Sequence, residues 1–488
     1  MQERAAPLAG SSPAGVVVCV DVGSTFTKAA AIGPDGELVA SAAHPTTSAT
    51  DVLEGLDQAV AGLAVELGAG VGVVPEQSVA VCSSAGGGLR LAVVGHERVI
   101  SAEAGRRVAL SAGARVVAVR AGPLDEAGCG SLVESRPDVL LVVGGTDGGD
   151  SEVLLHNAGM LGHCALSTPV VLAGNADVAS EAAERLAVGG RAVIVSDNVI
   201  PRIGELNPGP ARRAIRELFI SHVIGGKGLS RGPRFAELVV CATPDAVLAG
   251  IEVVADVLAD QPGASGDVMA LDVGGATSDV YSVLSPDEDA PHRAVGTLWH
   301  GRTVEGDLGM RWSARGVVSA ARAERLLGAG GGTGGGFTGG GGGEMGETDP
   351  AERLVAAADH RRQNVGFLPA TSAEVADELQ LARLAAVIAA RRHGRPGADG
   401  VRDLSHVSLL IGSGGVLRHA QPEAAHAALD AVLTDYAGGW RLPGRARVLV
   451  DRQHLLAPIG LLALTGRPAA ARNLARELVA PGSRPAGA

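Results

Sequence analysis

Val16-Val17-Val18-Cys19-Val20-Asp21-Val22-Gly23-Ser24-Thr25-Phe26-Thr27-Lys28 is a β-branched run that ends in an aspartate, turns through small residues and sets out again. The pattern returns past the middle of the chain as Val268-Met269-Ala270-Leu271-Asp272-Val273-Gly274-Gly275-Ala276-Thr277-Ser278-Asp279. Each stretch predicts two strands joined by a turn around an anion, because successive backbone N–H groups in such a turn can point at phosphate oxygens and glycine lets the chain approach closely. A motif used twice predicts a duplicated nucleotide-binding fold. Outward from the first copy, Ala29 to Ile32, the turn Gly33-Pro34-Asp35-Gly36 and a third apolar segment from Glu37 to Ser41 complete a β-meander.

Between the copies the pattern changes. Short apolar runs at Arg115 to Val119, Val139 to Val143, Val170 to Ala173 and Ala192 to Val195 alternate with helical stretches, which predicts a small parallel sheet inserted into the first half. One of these runs ends in Gly144-Gly145-Thr146-Asp147-Gly148-Gly149-Asp150, and loops at the carboxyl ends of parallel strands are where ligands usually bind. Thr243 to Leu258 reads as a helix with Thr243 as N-cap and Pro244 in its first turn. A third strand-to-glycine loop follows Val407 to Ile411, running through Gly412, Ser413, Gly414 and Gly415 to Leu417. The expected division is a disordered leader over 1–15, a first half over 16–97 and 200–265, an inserted α/β subdomain over 98–199, and a second half over 266–480. A flexible glycine-rich loop is expected at 328–346.

Composition limits the function classes. A chain of 488 residues, 46% hydrophobic and 19% charged, has the balance of a soluble protein of two or more domains. A net charge of -12 and only 2% aromatic residues argue against nucleic-acid binding, which is driven by cations and stacking. No apolar run approaches the roughly 20 residues of a membrane helix, no secretory signal opens the chain, and the five scattered cysteines form no C-x-x-C pair, so a cytoplasmic protein without membrane association is expected. Of the 41 basic residues only Lys28 and Lys227 are lysines. Lysine is a compact point charge where arginine is a planar fork, so Lys28, inside the first glycine loop, marks a position where a guanidinium would not fit.

The loops assemble a nucleotide site. Gly23, Ser24, Thr25, Lys28, Gly274, Gly275, Ala276 and Thr277 are the candidate phosphate contacts. Gly412, Ser413, Gly414 and Gly415 would let an adenine and ribose lie flat against backbone. Asp21 and Asp272 would be repelled by phosphate but can hold the water shell of Mg²⁺, so ATP and Mg²⁺ are the expected ligands. Asp147 either caps the following helix or contacts a metal or partner. A Walker-type loop is absent.

The order of the three loops resembles the actin, Hsp70 and sugar-kinase superfamily. A closer resemblance joins Asp21 to Lys28, Cys82-Ser-Ser-Ala-Gly-Gly-Gly-Leu-Arg90, Gly144 to Gly149, Arg302-Thr-Val-Glu-Gly-Asp-Leu-Gly-Met-Arg311 and Leu456-Ala-Pro-Ile-Gly-Leu-Leu462 to the glutamate mutase accessory family called MutL or GlmL, which is unrelated to the mismatch-repair protein of that name. The resemblance implies an α/β fold of duplicated actin-like (ribonuclease H-like) halves around a nucleotide cleft. It also implies an accessory or reactivating role toward the subunits of an adenosylcobalamin-dependent carbon-skeleton mutase, with Asp21, Asp272 and Glu305 as candidate catalytic carboxylates. The chain has no D-x-H-x-x-G cobalamin-ligating motif. A non-hydrolysing scaffold and a small-molecule kinase of the same superfamily are the alternatives, and oligomeric state is not legible.

Overall fold

The computed structural model describes residues 15–66, 78–85, 89–98, 100–112, 114–224, 228–261, 265–284, 300–327, 350–395, 402–437 and 441–480. The leader up to residue 14, Lys227 and the glycine-rich segment at 328–346 lie outside the described residues. Strands run in the order β1 (Val17–Val22), β2 (Phe26–Ile32), β3 (Leu38–Pro45), β4 (Val79–Ser83), β5 (Arg90–Gly95), β6 (Arg115–Ala121), β7 (Val139–Val142), β8 (Val170–Leu172), β9 (Val193–Val195), β10 (Val239–Ala242), β11 (Val268–Val273), β12 (Ser278–Val283), β13 (His300–Glu305), β14 (Leu409–Ser413) and β15 (Arg447–Val450).

These strands form three five-stranded sheets. The first is ordered β10-β4-β1-β2-β3 and another β13-β12-β11-β14-β15. In both, an antiparallel meander of three strands is extended by two parallel strands, so one topology has been used twice. The duplication holds to the residue. Asp21 pairs with Lys28 across the first hairpin, and Asp272 pairs with Asp279 at the equivalent place in the second. Each loop closes on the same bond, Gly23 N–H to the Phe26 carbonyl at 3.1 Å and Gly274 N–H to the Thr277 carbonyl at 3.0 Å. The architecture is the duplicated, actin-like α/β fold.

The third sheet, ordered β6-β5-β7-β8-β9, is parallel throughout. It corrects one expected boundary. β5 hydrogen-bonds to β6 and β7, so the inserted sheet begins by Arg90 and not at 98. An apolar strand looks alike in either sheet, and only its partners decide where it belongs.

β1 and β12 are buried along their whole length because both faces are covered by packed elements. Between the two duplicated sheets, the helix Thr243–Ala259, which follows β10, crosses the helix Leu456–Leu464, which follows β15. They touch through glycine. A Cβ at Gly250 would collide with the Leu456 carbonyl, and one at Gly460 with the Ala246 carbonyl. The Leu456–Leu464 helix owes its apolar sequence to this central seat. Among the described residues no helix is long and apolar enough to cross a membrane.

Candidate functional site

The crossing helices deliver two side chains to the end of β1. Thr243 begins the first helix, and His454 lies two residues before the second. Asp21, 4% exposed, receives both: Thr243 Oγ1 donates to Oδ1 at 2.6 Å, and His454 Nε2 lies 2.9 Å from Oδ2. Lys28 Nζ donates to the same Oδ2 at 3.1 Å and lies 3.3 Å from His454 Nε2. The Cys82 thiol completes the shell at 3.7 Å from Oδ1, kept protonated by burial and by the adjacent carboxylate. Burial alone would raise the Asp21 pKa. The Lys28 ammonium and the hydrogen bonds from His454 and Thr243 outweigh it and hold the carboxyl far below the usual range.

His454 adopts φ +58°, a left-handed conformation uncommon for a residue with a side chain. Buried Asp451 stabilises the turn beyond it, accepting from the Leu455 and Leu456 amides at 2.8 and 3.1 Å. Asp451 N–H in turn donates to the Gly412 carbonyl at 2.9 Å, which ties the His454 turn to the third glycine loop. A cavity of about 10 Å³, room for one water, abuts Asp21, Lys28 and His454.

The second hairpin differs at the matching positions. The Asp272 side chain is half-buried and makes no hydrogen bond or ion pair among the described residues. Burial raises its pKa and the neighbouring Asp279 carboxylate adds to the rise, while Lys28 and His454 oppose it. Asp279 itself is held by the buried Arg302, whose Nη2 and Nε lie 2.6 and 3.1 Å from Oδ1, and that guanidinium rests over the Tyr281 ring. One hairpin therefore carries a saturated carboxylate and the other an open one.

The glycine loops face each other, since a Cβ on Gly275 would meet Thr25 Cγ2 at 3.3 Å. Among the described residues the amides of Ser24, Thr25, Gly275 and Ala276 donate to no protein acceptor, which leaves them available to an anion. The first loop is fixed by Thr46, whose hydroxyl donates to the Gly23 carbonyl and whose amide donates to that of Thr25. The second is fixed by Met310 and Arg311, whose amides reach the Gly274 and Gly275 carbonyls. The third loop joins them through the ladder, Ser413 pairing with Asp272. Gly414 has φ +103°, and a Cβ there would collide with the Val273 carbonyl, so Gly412, Ser413, Gly414 and Gly415 pass directly beside the end of β11.

Two expected site residues are already engaged, Glu305 beside the second hairpin opposite Ser278 and Asp147 away on the inserted sheet. Glu305 ends β13, with Oε2 2.7 Å from Arg392 Nη1, which also binds Asp307. Burial nonetheless raises its pKa, with Arg392 opposing. Asp147 sits on the inserted sheet and braces its own loop, accepting from the Ala176 amide at 3.0 Å and from Asn198 Nδ2 at 2.8 Å. Among the described residues no cluster of three or more His, Cys, Asp or Glu could hold a metal. Sequence reading missed His454 and gave Thr243 the role of N-cap, whereas Ala242 is the N-cap and the Thr243 hydroxyl serves Asp21. The only signal for His454 was its place just before the Leu456 to Leu462 motif.

Two sheets of one topology, bringing matched aspartate-led glycine hairpins face to face with a third glycine loop alongside, define a protein of the actin-like fold class. Within that class, the chain belongs to the MutL protein family, whose signature spans residues 17–478. Protein MutL of Clostridium tetanomorphum is 32% identical over 477 residues, covering 94% of this chain and 98% of that one. Among solved structures, nucleotide-free acetone carboxylase is similar at 12% identity over 92% of this chain and 70% of that one, with a TM-score of 0.39. A ROK-family glucokinase from Streptomyces griseus, in complex with glucose and AMPPNP, is 14% identical over 95% of this chain and 100% of that one, with a TM-score of 0.30.

Proposed function

We propose that the cleft between the two hairpins binds Mg-ATP and that the chain uses this binding as an accessory, reactivating factor for an adenosylcobalamin-dependent carbon-skeleton mutase of the glutamate mutase type. One observation carries the nucleotide reading: the free amides of Ser24, Thr25, Gly275 and Ala276 face one another beside Lys28 and an unpartnered Asp272. Asp272 offers hard carboxylate oxygens with no protein partner, the donor type Mg²⁺ takes when it keeps waters and a nucleotide supplies the remaining ligands. An ion held there would offset the charge of Asp272, Asp279 and the phosphates.

The chain's own residues perform the binding step. The four amides cradle the phosphate oxygens. Lys28 exchanges part of its contact with Asp21 for phosphate, and Asp21 stays anchored by Thr243 and His454. Because Thr243 and His454 begin or precede the two crossing helices, any shift at Asp21 is transmitted to the junction of the halves, which is the movement a mutase partner would read. Mutase recognition rests on family membership, and co-purification with an inactivated glutamate mutase, with and without ATP, tests it: ATP-dependent retention is expected, and no retention under either condition contradicts it.

A second reading has its own support. Glu305 is committed to Arg392 and does not stand free to orient water, which favours nucleotide-gated binding without turnover. Phosphate release from the purified chain with Mg-ATP, alone and with its mutase, decides between the two.

A further inference from the structure

The inserted sheet has a cavity of its own. In its order β6-β5-β7-β8-β9, the chain leaves β5 toward one edge and continues from β7 toward the other, so the carboxyl ends of β5 and β7 flank a topological switch point. Crevices at such points are where open parallel sheets bind ligands. A cavity of about 230 Å³ lies there, bounded by His96 and Glu97 after β5 and by the Val143 to Thr146 stretch after β7. Asn198 to Ile200 form its far side, and Ile203, 73% exposed, stands at its mouth.

The cavity is built, not incidental. Gly144 and Gly145 take φ +145° and +71°, and a Cβ on Gly144 would lie 2.6 Å from His96 Cβ. Asn198 Nδ2 holds the loop by donating to the Gly145 carbonyl at 2.9 Å and to Asp147 at 2.8 Å. This is the structural work of the Gly144 to Asp150 motif, which the nucleotide cleft does not use.

Its chemistry excludes an anion. Among the described residues no lysine or arginine lines it, while Glu97 and Asp150 do. The start of the helix Ser101–Ser111, where a phosphate would be welcomed, is already filled by the Glu97 carboxylate, which accepts from the Ile100 and Ser101 amides at 3.0 and 2.7 Å. The walls are Ile100, Val143, Val199 and Ile200. His96 Nδ1 is buried and lies 3.6 Å from Asp150 Oδ1, which leaves Nε2, without a hydrogen bond among the described residues, as the atom of this ring open to a ligand. A dry cavity of about 150 Å³ admits benzene, so this larger space suits a fused bicyclic ring.

We infer that the inserted subdomain binds an uncharged or weakly basic N-heteroaromatic ring in this cavity, its faces against the isoleucine and valine side chains and its ring nitrogen hydrogen-bonded to His96. Methyl NMR of the Ile- and Val-labelled full chain tests this, with benzimidazole and adenine as separate probes so that a nucleobase is distinguished from a plain azaarene. Saturable shifts of the Ile100, Val143, Val199 and Ile200 methyls with either probe, persisting when Mg-ATP is present, are expected. His96→Ala should weaken binding roughly five- to tenfold, the size of one lost hydrogen bond. Ile203→Asp, at an exposed position that does not threaten folding, should weaken it too, and benzimidazole-5-carboxylate should bind roughly tenfold less well or not at all because Glu97 and Asp150 repel it. No saturable shift at these methyls with either probe, or equal binding of the carboxylate, would overturn the inference.

Discussion

His454 Nε2 stands 2.9 Å from Asp21 Oδ2, although 433 residues separate them in the chain. The imidazole comes from the loop after β15, in the second half, and the carboxylate from β1, in the first. The bond is therefore a tie between halves, made beside the glycine loops of the proposed nucleotide cleft and in contact with the one lysine of the first glycine loop.

Removing the imidazole should loosen that tie. His454→Ala leaves Asp21 with Lys28 and Thr243 and should lower unfolding free energy by about 1–3 kcal/mol, the cost of an unmet buried hydrogen bond. Urea unfolding checks it, and an unchanged midpoint and slope contradict the assigned role.

The two equivalent aspartates should respond to pH in opposite directions. Asp21 has a folded pKa below the ordinary value of 3.8, so its stabilising contribution is full above that pH and is lost as pH falls through the depressed folded value. Asp272 has a raised folded pKa, so its ionised form destabilises the nucleotide-free fold at neutral pH, and that penalty fades as pH falls through the raised value. In thermal melts across pH 2–7, Asp21→Asn should flatten the acid limb. Asp272→Asn should raise the neutral-pH melting temperature while abolishing any gain from Mg-ATP. A lower melting temperature for Asp272→Asn would contradict the account of its environment.

Helix crossing gives a third prediction. Gly250→Ala and Gly460→Ala each place a methyl against a carbonyl of the partner helix and should destabilise by about 1–3 kcal/mol through overpacking. Gly130→Ala, in the helix Glu126–Ser135 where a Cβ meets nothing within 4 Å, is the control and should raise stability by up to about 1 kcal/mol through helix propensity. Equal effects at all three positions would mean that the crossing is not sensitive to backbone approach.

Lys28→Arg tests why lysine survives in an arginine-rich chain. The ammonium fits between Asp21 Oδ2 and His454 Nε2 at 3.1 and 3.3 Å, a space for a compact charge. Lys28→Arg should weaken Mg-ATP roughly tenfold, as a displaced phosphate contact does, and full affinity in the variant would show that charge alone suffices.

Much of this was legible in the sequence for a physical reason. The hairpins announce themselves because strand, aspartate and glycine turn are contiguous, so Asp21, Gly23, Asp272 and Gly274 fall where local pattern places them. What surrounds Asp21 was not legible. Thr243 and His454 reach it only through the crossing of two helices at Gly250 and Gly460, a tertiary event without local periodicity. The asymmetry between Asp21 and Asp272 was hidden likewise, because it depends on whether Lys28 or Asp279 stands opposite and on what those side chains then meet. The expected boundary at 98 missed β5 for the same cause, since hydrogen-bond partners and not composition choose a strand's sheet.

The central claim is that the two aspartate-led hairpins form one Mg-ATP site. Isothermal titration of Mg-ATP into the full chain, Asp21→Ala and Asp272→Ala tests it most directly. Binding by the unaltered protein, with marked weakening in both variants and a loss of Mg²⁺ dependence in Asp272→Ala, is the predicted result. Unchanged Mg-ATP affinity in both variants, or no binding by the unaltered chain, would contradict it.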